Sequence, residues 1–215
     1  MLVMKKLKIR EIFYSIQGEG GRSGEASVFI RLAYCNLNCW YCDTDWSSGV
    51  ENTLESILEN VLAVLPKELR TMIGTWIVWT GGEPTIQLTD EIVAKVKEYG
   101  FKQAIETNGT NPVPNGIDYI SCSPKEPYVT SSLLHKNFPL GVDEFRYPLG
   151  KLNKDIPNIE DLPKSEHYFV SPIFMGKPKE RFTYVPDNVV YCLDFVKRNP
   201  QWKLSLQLQK IINIK

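Results

Sequence analysis

Apolar positions along this chain repeat at two spacings. Lys8-Ile-Arg-Glu-Ile-Phe13 alternates and predicts a strand, and Ser27-Val-Phe-Ile-Arg-Leu-Ala-Tyr34 predicts a second. A glycine-rich loop, Ser15 to Gly24, lies between them. Leu54, Ile57, Leu58, Val61, Leu62 and Leu65 then fall on one face of a helix, with Asn52 as its expected N-cap and Glu55 reaching back. Trp76–Trp79 reads as a short buried strand. Asp90–Tyr99 reads as a helix with Ile92, Val93 and Val96 inward and Gly100 as its stop. Further strands are expected at Gln103–Glu106, Ile117–Cys122, Val142–Arg146, Tyr168–Val170 and Leu204–Leu208, and a further helix at Asp187–Lys197. Strand alternating with helix implies right-handed crossovers and a parallel sheet. The pattern weakens from Pro124 to Ser165, where irregular crossovers are expected in place of full helices.

Length restricts the architecture. At 215 residues the chain is short for a complete eight-fold β/α barrel, which takes about 250. The expected fold is α/β, a modified, partial (open) β/α barrel, in one domain spanning 1–215 with irregular crossovers around 126–166. Lysine plus arginine equals aspartate plus glutamate at 25 each, which argues against nucleic acid as direct partner. No apolar run reaches membrane-spanning length and no signal peptide is read, so a cytoplasmic protein is expected.

Five cysteines, an odd number, do not suggest a disulfide framework. Three of them, Cys35-Asn-Leu-Asn-Cys39-Trp-Tyr-Cys42, follow the second strand and could share one metal centre. Three thiolates are one short of a closed zinc site or a fully ligated electron-transfer cluster, so a centre here would keep an open position. The plainer readings are buried core cysteines or an incomplete zinc knuckle. His135 and His167, the two histidines, lie too far apart for a Cys2His2 finger. Cys122 and Cys192 sit in apolar surroundings and are expected in the core.

The cysteine loop is one of four that follow predicted strands. Thr80-Gly-Gly-Glu-Pro84, Thr107-Asn-Gly-Thr110 and Ser123-Pro-Lys125 are the others. In a parallel β/α sheet all four emerge at one C-terminal mouth, where such folds place their chemistry. Small, polar loops there suit a polar cofactor. Arg31, inside an apolar strand, must find an anion, either a ligand carboxylate or an internal partner such as Glu19 or Glu83.

The Cys-x3-Cys-x2-Cys spacing with Tyr41 before the last cysteine resembles the radical S-adenosylmethionine (SAM) superfamily, and Thr80–Pro84 resembles its GGEP motif. Together with Phe13–Gly20, Cys42-Asp-Thr44, Glu106–Thr110, Ser123–Lys125 and Leu204–Lys210, the chain resembles the 7-carboxy-7-deazaguanine synthase family. The resemblance implies a 4Fe-4S cluster on Cys35, Cys39 and Cys42, and SAM contacts from Tyr41, Gly82, Glu83, Glu106, Asn108, Ser123, Pro124 and Lys125. It implies Mg2+ on Thr44, and substrate contacts from Ile16, Gln17, Gly18, Glu19, Arg31, Thr80, Gln209 and Lys215. It also implies a homodimer, an external one-electron reductant of flavodoxin or ferredoxin type, and a pterin substrate. The reaction would be a radical ring contraction of 6-carboxy-5,6,7,8-tetrahydropterin. The family's C-terminal Gln-x-His-Lys reads Gln207-Leu-Gln209-Lys210 here, so a residue that cannot titrate near neutrality stands where the family has histidine. A glycyl-radical-enzyme activase and a non-catalytic iron or zinc regulator are the alternative functions.

Overall fold

A computed structural model describes residues 6–71, 73–125, 127–174 and 186–214. Its strands, in chain order, are β1 (Leu7–Ile16), β2 (Ala26–Leu32), β3 (Val50–Asn52), β4 (Trp76–Gly81), β5 (Lys102–Thr107), β6 (Tyr119–Cys122), β7 (Val142–Leu149), β8 (Ser165–Pro172) and β9 (Lys203–Leu204). Its helices are α1 (Leu54–Val64), α2 (Asp90–Glu98), α3 (Ser131–Asn137), α4 (Pro186–Arg198) and α5 (Leu208–Ile211). The described strands form one sheet in the order β3-β1-β2-β4-β5-β6-β7-β8-β9. From β2 through β9 every pairing is parallel, whereas β1 runs antiparallel to β2 and β3. This is the open β/α architecture expected.

Strand alternation sorts the side chains. Val28, Ile30 and Leu32 of β2, Ile77 and Trp79 of β4, and Ile105 of β5 pack outward with Ile57, Leu58 and Val61 of α1 and Ile92 and Val96 of α2. Phe145, Tyr147 and Leu149 of β7 and Val170 of β8 pack into a second cluster with Leu134 of α3 and Cys192 of α4. Cys122 and Cys192 are fully buried in this second cluster, as expected. The intervening positions face the lumen. There Phe29, Val78 and Ala104 make a small apolar floor, and polar and charged groups such as Ser121, Thr80, Glu106 and Arg146 lie around it.

Four local expectations are corrected. The register between β1 and β2 shifts between Ile9 and Glu11, so the alternation of β1 changes phase and Glu11 falls opposite Arg31. The cap of α1 is Thr53, whose hydroxyl accepts from the Ser56 N–H at 3.3 Å, because Asn52 is committed to β3. α3 forms within the stretch expected to be irregular, capped by Thr130. β9 stops at Leu204, and Leu208 begins a helical turn instead of ending a strand. The last difference arises because Leu208 N–H donates to Gly18 O at 2.9 Å and Gly20 N–H donates to Ser205 Oγ at 2.9 Å. The loop after β1 thus crosses to the segment after β9, a pairing no local pattern encodes.

Candidate active site

Two cavities open at the C-terminal ends of the parallel strands. The first, of about 220 Å³, is bordered by Cys35, Cys39 and Cys42 and by Tyr41, Thr80, Gly82, Asn108, Ser123 and Lys125. The four loops read from the sequence therefore do converge.

The close approach of the loops explains their residue types. Gly82 N–H donates to Leu32 O at 3.0 Å, and Glu83 N–H donates to Tyr34 O at 2.9 Å. A side chain at Gly82 would collide with the Tyr34 backbone, and Gly81 has φ +119°. The double glycine thus lets β4 end against the start of the cysteine loop. Tyr34 itself adopts φ 69°, which turns the chain into Cys35. Asn36 ties that loop to the next: its Nδ2 donates to Thr110 Oγ1 at 2.8 Å, and its Oδ1 accepts from Asn108 Nδ2 at 3.0 Å.

Glu83 has no exposed surface. Its carboxylate accepts from Asn108 N–H at 2.7 Å, Thr107 Oγ1 at 2.8 Å, and Thr85 Oγ1 and N–H at 2.6 and 3.1 Å. Burial pushes its pKa up against these donors. Its side chain therefore braces two neighbouring loops and does not border the cavity. Pro124 is likewise buried outside the cavity wall.

The three thiols border one cavity, and a multi-iron cluster takes its thiolates one per iron, so the donor set fits such a cluster. Burial raises the Cys35 and Cys39 pKa values, with Lys125 opposing at Cys39. Burial lowers the Lys125 pKa, and its ammonium donates to Ser123 Oγ at 2.6 Å.

The second cavity, of about 480 Å³, adjoins the first and shares Glu19, Asp43, Thr44, Thr80, Glu106, Arg146 and Gln207 with it. Ile16, Gln17, Gly18, Arg31 and Gln209 border it as well. Arg31 Nε donates to Glu11 Oε1 at 2.9 Å, so its anion is the cross-strand neighbour and neither Glu19 nor Glu83. Its Nη1 reaches Thr44 Oγ1 at 3.5 Å. The C-terminal segment closes one side. Gln207 and Gln209 both donate through Nε2 to Glu19 Oε1, at 2.9 and 3.1 Å. Lys210 pairs with Asp43 and stacks over the Phe174 ring at 4.2 Å. Burial pushes the Asp43 carboxyl up, but Lys210 and Gln207 outweigh it and hold it below the usual range. A side chain at Gly18 would displace the Gln209 amide group. Lys215 lies outside the described residues.

Sequence reasoning missed Arg146 and Glu144. Both point from β7 into the lumen, where Arg146 is 7% exposed and Glu144 1%. Arg146 meets Glu106, Glu19 and Glu144, the last two at 3.5 Å. The signal was available: a charged pair two residues apart inside an apolar strand, the same argument applied to Arg31.

An open parallel β/α sheet with three thiols on one strand-end loop, beside a glycine-rich polar loop, defines a radical SAM protein. The Radical SAM superfamily matches residues 29–128. A 7-carboxy-7-deazaguanine synthase of Bacteroides thetaiotaomicron is 36% identical, covering 97% of this chain and 98% of that protein. Another from Bordetella pertussis is 34% identical, covering 96% and 98%. A crystal structure of QueE from Escherichia coli has the same fold, with TM-score 0.63, 24% identity and 94% of each chain covered. The chain belongs to the 7-carboxy-7-deazaguanine synthase family, radical SAM enzymes that carry a 4Fe-4S cluster and use SAM.

Proposed function

We propose that this enzyme converts 6-carboxy-5,6,7,8-tetrahydropterin to 7-carboxy-7-deazaguanine with loss of ammonia, in a Mg2+-dependent step toward queuosine or archaeosine. The observation that carries the reading is the shared wall between a thiol-bearing cavity and a second one bordered by Arg31, Gln17 and Glu19. In this reading Cys35, Cys39 and Cys42 hold the cluster. Tyr41, Gly82, Glu83, Glu106, Asn108, Ser123, Pro124 and Lys125 form the SAM side, with Glu83 and Pro124 acting by holding the loops. Bound together, cluster and SAM supply hydrogen-atom abstraction through reductive cleavage of SAM.

The second cavity takes the pterin. Arg31 offers its remaining guanidinium donors to the substrate carboxylate. Gln17 and Glu19, with Ile16, Gly18, Thr80 and Gln209, read the ring edge, where an amide and a carboxylate match its donors and acceptors. Thr44, bordering both cavities, offers a hydroxyl oxygen to Mg2+ between protein and substrate. A cytoplasmic homodimer served by a flavodoxin- or ferredoxin-type reductant completes the proposal; among the described residues no helix is long and apolar enough to cross a membrane.

The test is anaerobic incubation of the cluster-loaded protein with SAM, dithionite, the carboxytetrahydropterin and graded Mg2+, with product mass as readout. We expect 7-carboxy-7-deazaguanine, and a loss of the Mg2+ response in Thr44→Ala with SAM binding retained. SAM cleavage without this product would overturn the substrate assignment. An unchanged Mg2+ titration in Thr44→Ala would remove Thr44 as ligand.

A further inference from the structure

Three lumenal carboxylates surround one guanidinium where the two cavities meet. Glu144 holds that guanidinium from behind. Its own oxygens are fully committed to protein, accepting from Gly21 N–H at 2.7 Å, Ser121 Oγ at 2.8 Å and Tyr119 Oη at 2.9 Å. Arg146 Nη1 lies 3.5 Å from Glu144 without a hydrogen bond. On its other side Arg146 directs Nη2 to Glu106 and Nε to Glu19, and both of these carboxylates border both cavities. They arrive from unrelated parts of the chain, Glu106 from β5 and Glu19 from the loop after β1. The second oxygen of Glu106 accepts from Gln17 Nε2 at 2.9 Å, so even the supporting groups interlock.

Arg146 is the cation in contact with these carboxylates, with Lys125 and Arg22 acting at longer range, and burial raises the Glu106 pKa, so a ligand N–H or O–H donor that reaches Glu106 would stabilise its charged form. A donor engaging Glu19 or Glu106 draws that carboxylate toward itself and leaves the guanidinium to order the other. We propose that Arg146 is a positioning residue that couples the two cavities, so that occupancy of one orders the carboxylate needed by the other. This rests on the assignment of SAM to the first cavity and the pterin to the second.

The experiment is anaerobic calorimetry on the cluster-loaded, unreduced protein, in which no turnover occurs. SAM and carboxytetrahydropterin are each titrated alone and in the presence of the other. In the unaltered protein each ligand should tighten the other by about tenfold, the ordinary scale of coupling between sites. In Arg146→Lys an ammonium reaches one carboxylate at a time and cannot span both. The coupling factor should then fall at least threefold. A merely structural role would weaken both ligands alike and leave the factor intact, so a factor within twofold of the unaltered protein overturns the proposal. Should Arg146→Lys not fold, Glu19→Gln, Glu106→Gln and their double variant carry the same test. Effects on binding that multiply independently would overturn the proposal, and non-additivity of threefold or more would support it. Failure of the unaltered protein to bind the pterin overturns the substrate assignment, whereas binding with coupling that survives in Arg146→Lys overturns the Arg146 proposal alone.

Discussion

Most of the residues that belong to the thiol-bearing cavity alone come from loops that each follow a parallel strand, and each such loop carries its chemistry within a few consecutive residues; Glu19, Glu106, Arg146 and Gln207 it shares with its neighbour. The adjoining cavity is assembled differently. Arg31 and Arg146 come from the interiors of β2 and β7, Glu11 from an antiparallel strand, Glu19 from the loop that crosses the sheet, and Gln207 and Gln209 from the C-terminal segment. In the first cavity the backbone supplies much of the geometry, through glycines and loop-to-loop hydrogen bonds. In the second the geometry lies in long side chains held by ion pairs. The first is therefore sensitive to loss of its ligands and to backbone support, and the second to changes in the shape of a charged group.

The largest effect should come from removing the thiols. Replacing Cys35, Cys39 and Cys42 together with alanine should eliminate bound iron and 5′-deoxyadenosine formation, with thermal unfolding little changed because the loop is partly exposed. Iron analysis and chromatography of the nucleoside check this, and SAM cleavage surviving in the triple variant would refute the assignment. Next comes the backbone support. Glu83→Ala strips the partners from buried donors at Thr107 and Asn108 and should cost about 3 kcal/mol in urea unfolding. A loss below 1 kcal/mol would mean that water replaces the carboxylate there and that the loops do not depend on it.

Two milder changes probe the second cavity. Arg31→Lys keeps the charge but loses the fork, and should raise the pterin KM about tenfold while SAM affinity stays within twofold. Equal losses for both ligands would instead indicate a folding role and erase the contrast between the cavities. Gln209→Leu removes one amide hydrogen bond to the Glu19 carboxylate, to which Gln207 still donates, and should raise the same KM by about threefold. An unchanged pterin KM in this variant would remove Gln209 from the substrate side.

Legibility followed the same division. Cys35, Cys39, Cys42, the Gly81-Gly82 pair and Asn108 could be found from short motifs at predicted strand ends, since a βα loop places neighbours in sequence at one mouth in space. The outward faces of α1 and α2 were equally plain, because burial on one side enforces a helical period. Two misreadings occurred where a distant partner overrode a local preference. Asn52 gave up its expected cap because β3 pairs with β1, and Leu208 left the expected strand because its N–H bonds to Gly18.

What the sequence by itself determined is the βα alternation, the outward apolar faces and the loops whose few adjacent residues suffice to bind. What only the tertiary structure decided is the partner of each charge. Arg31 meets Glu11 because a register shift in β1 brings them opposite, and Arg146 meets Glu19, Glu106 and Glu144 because strands remote in sequence enclose one lumen. A buried charge announces in sequence that it needs a counter-charge, since leaving it unpaired costs several kcal/mol. Which group answers depends on strand order and register, and these follow from packing the whole chain.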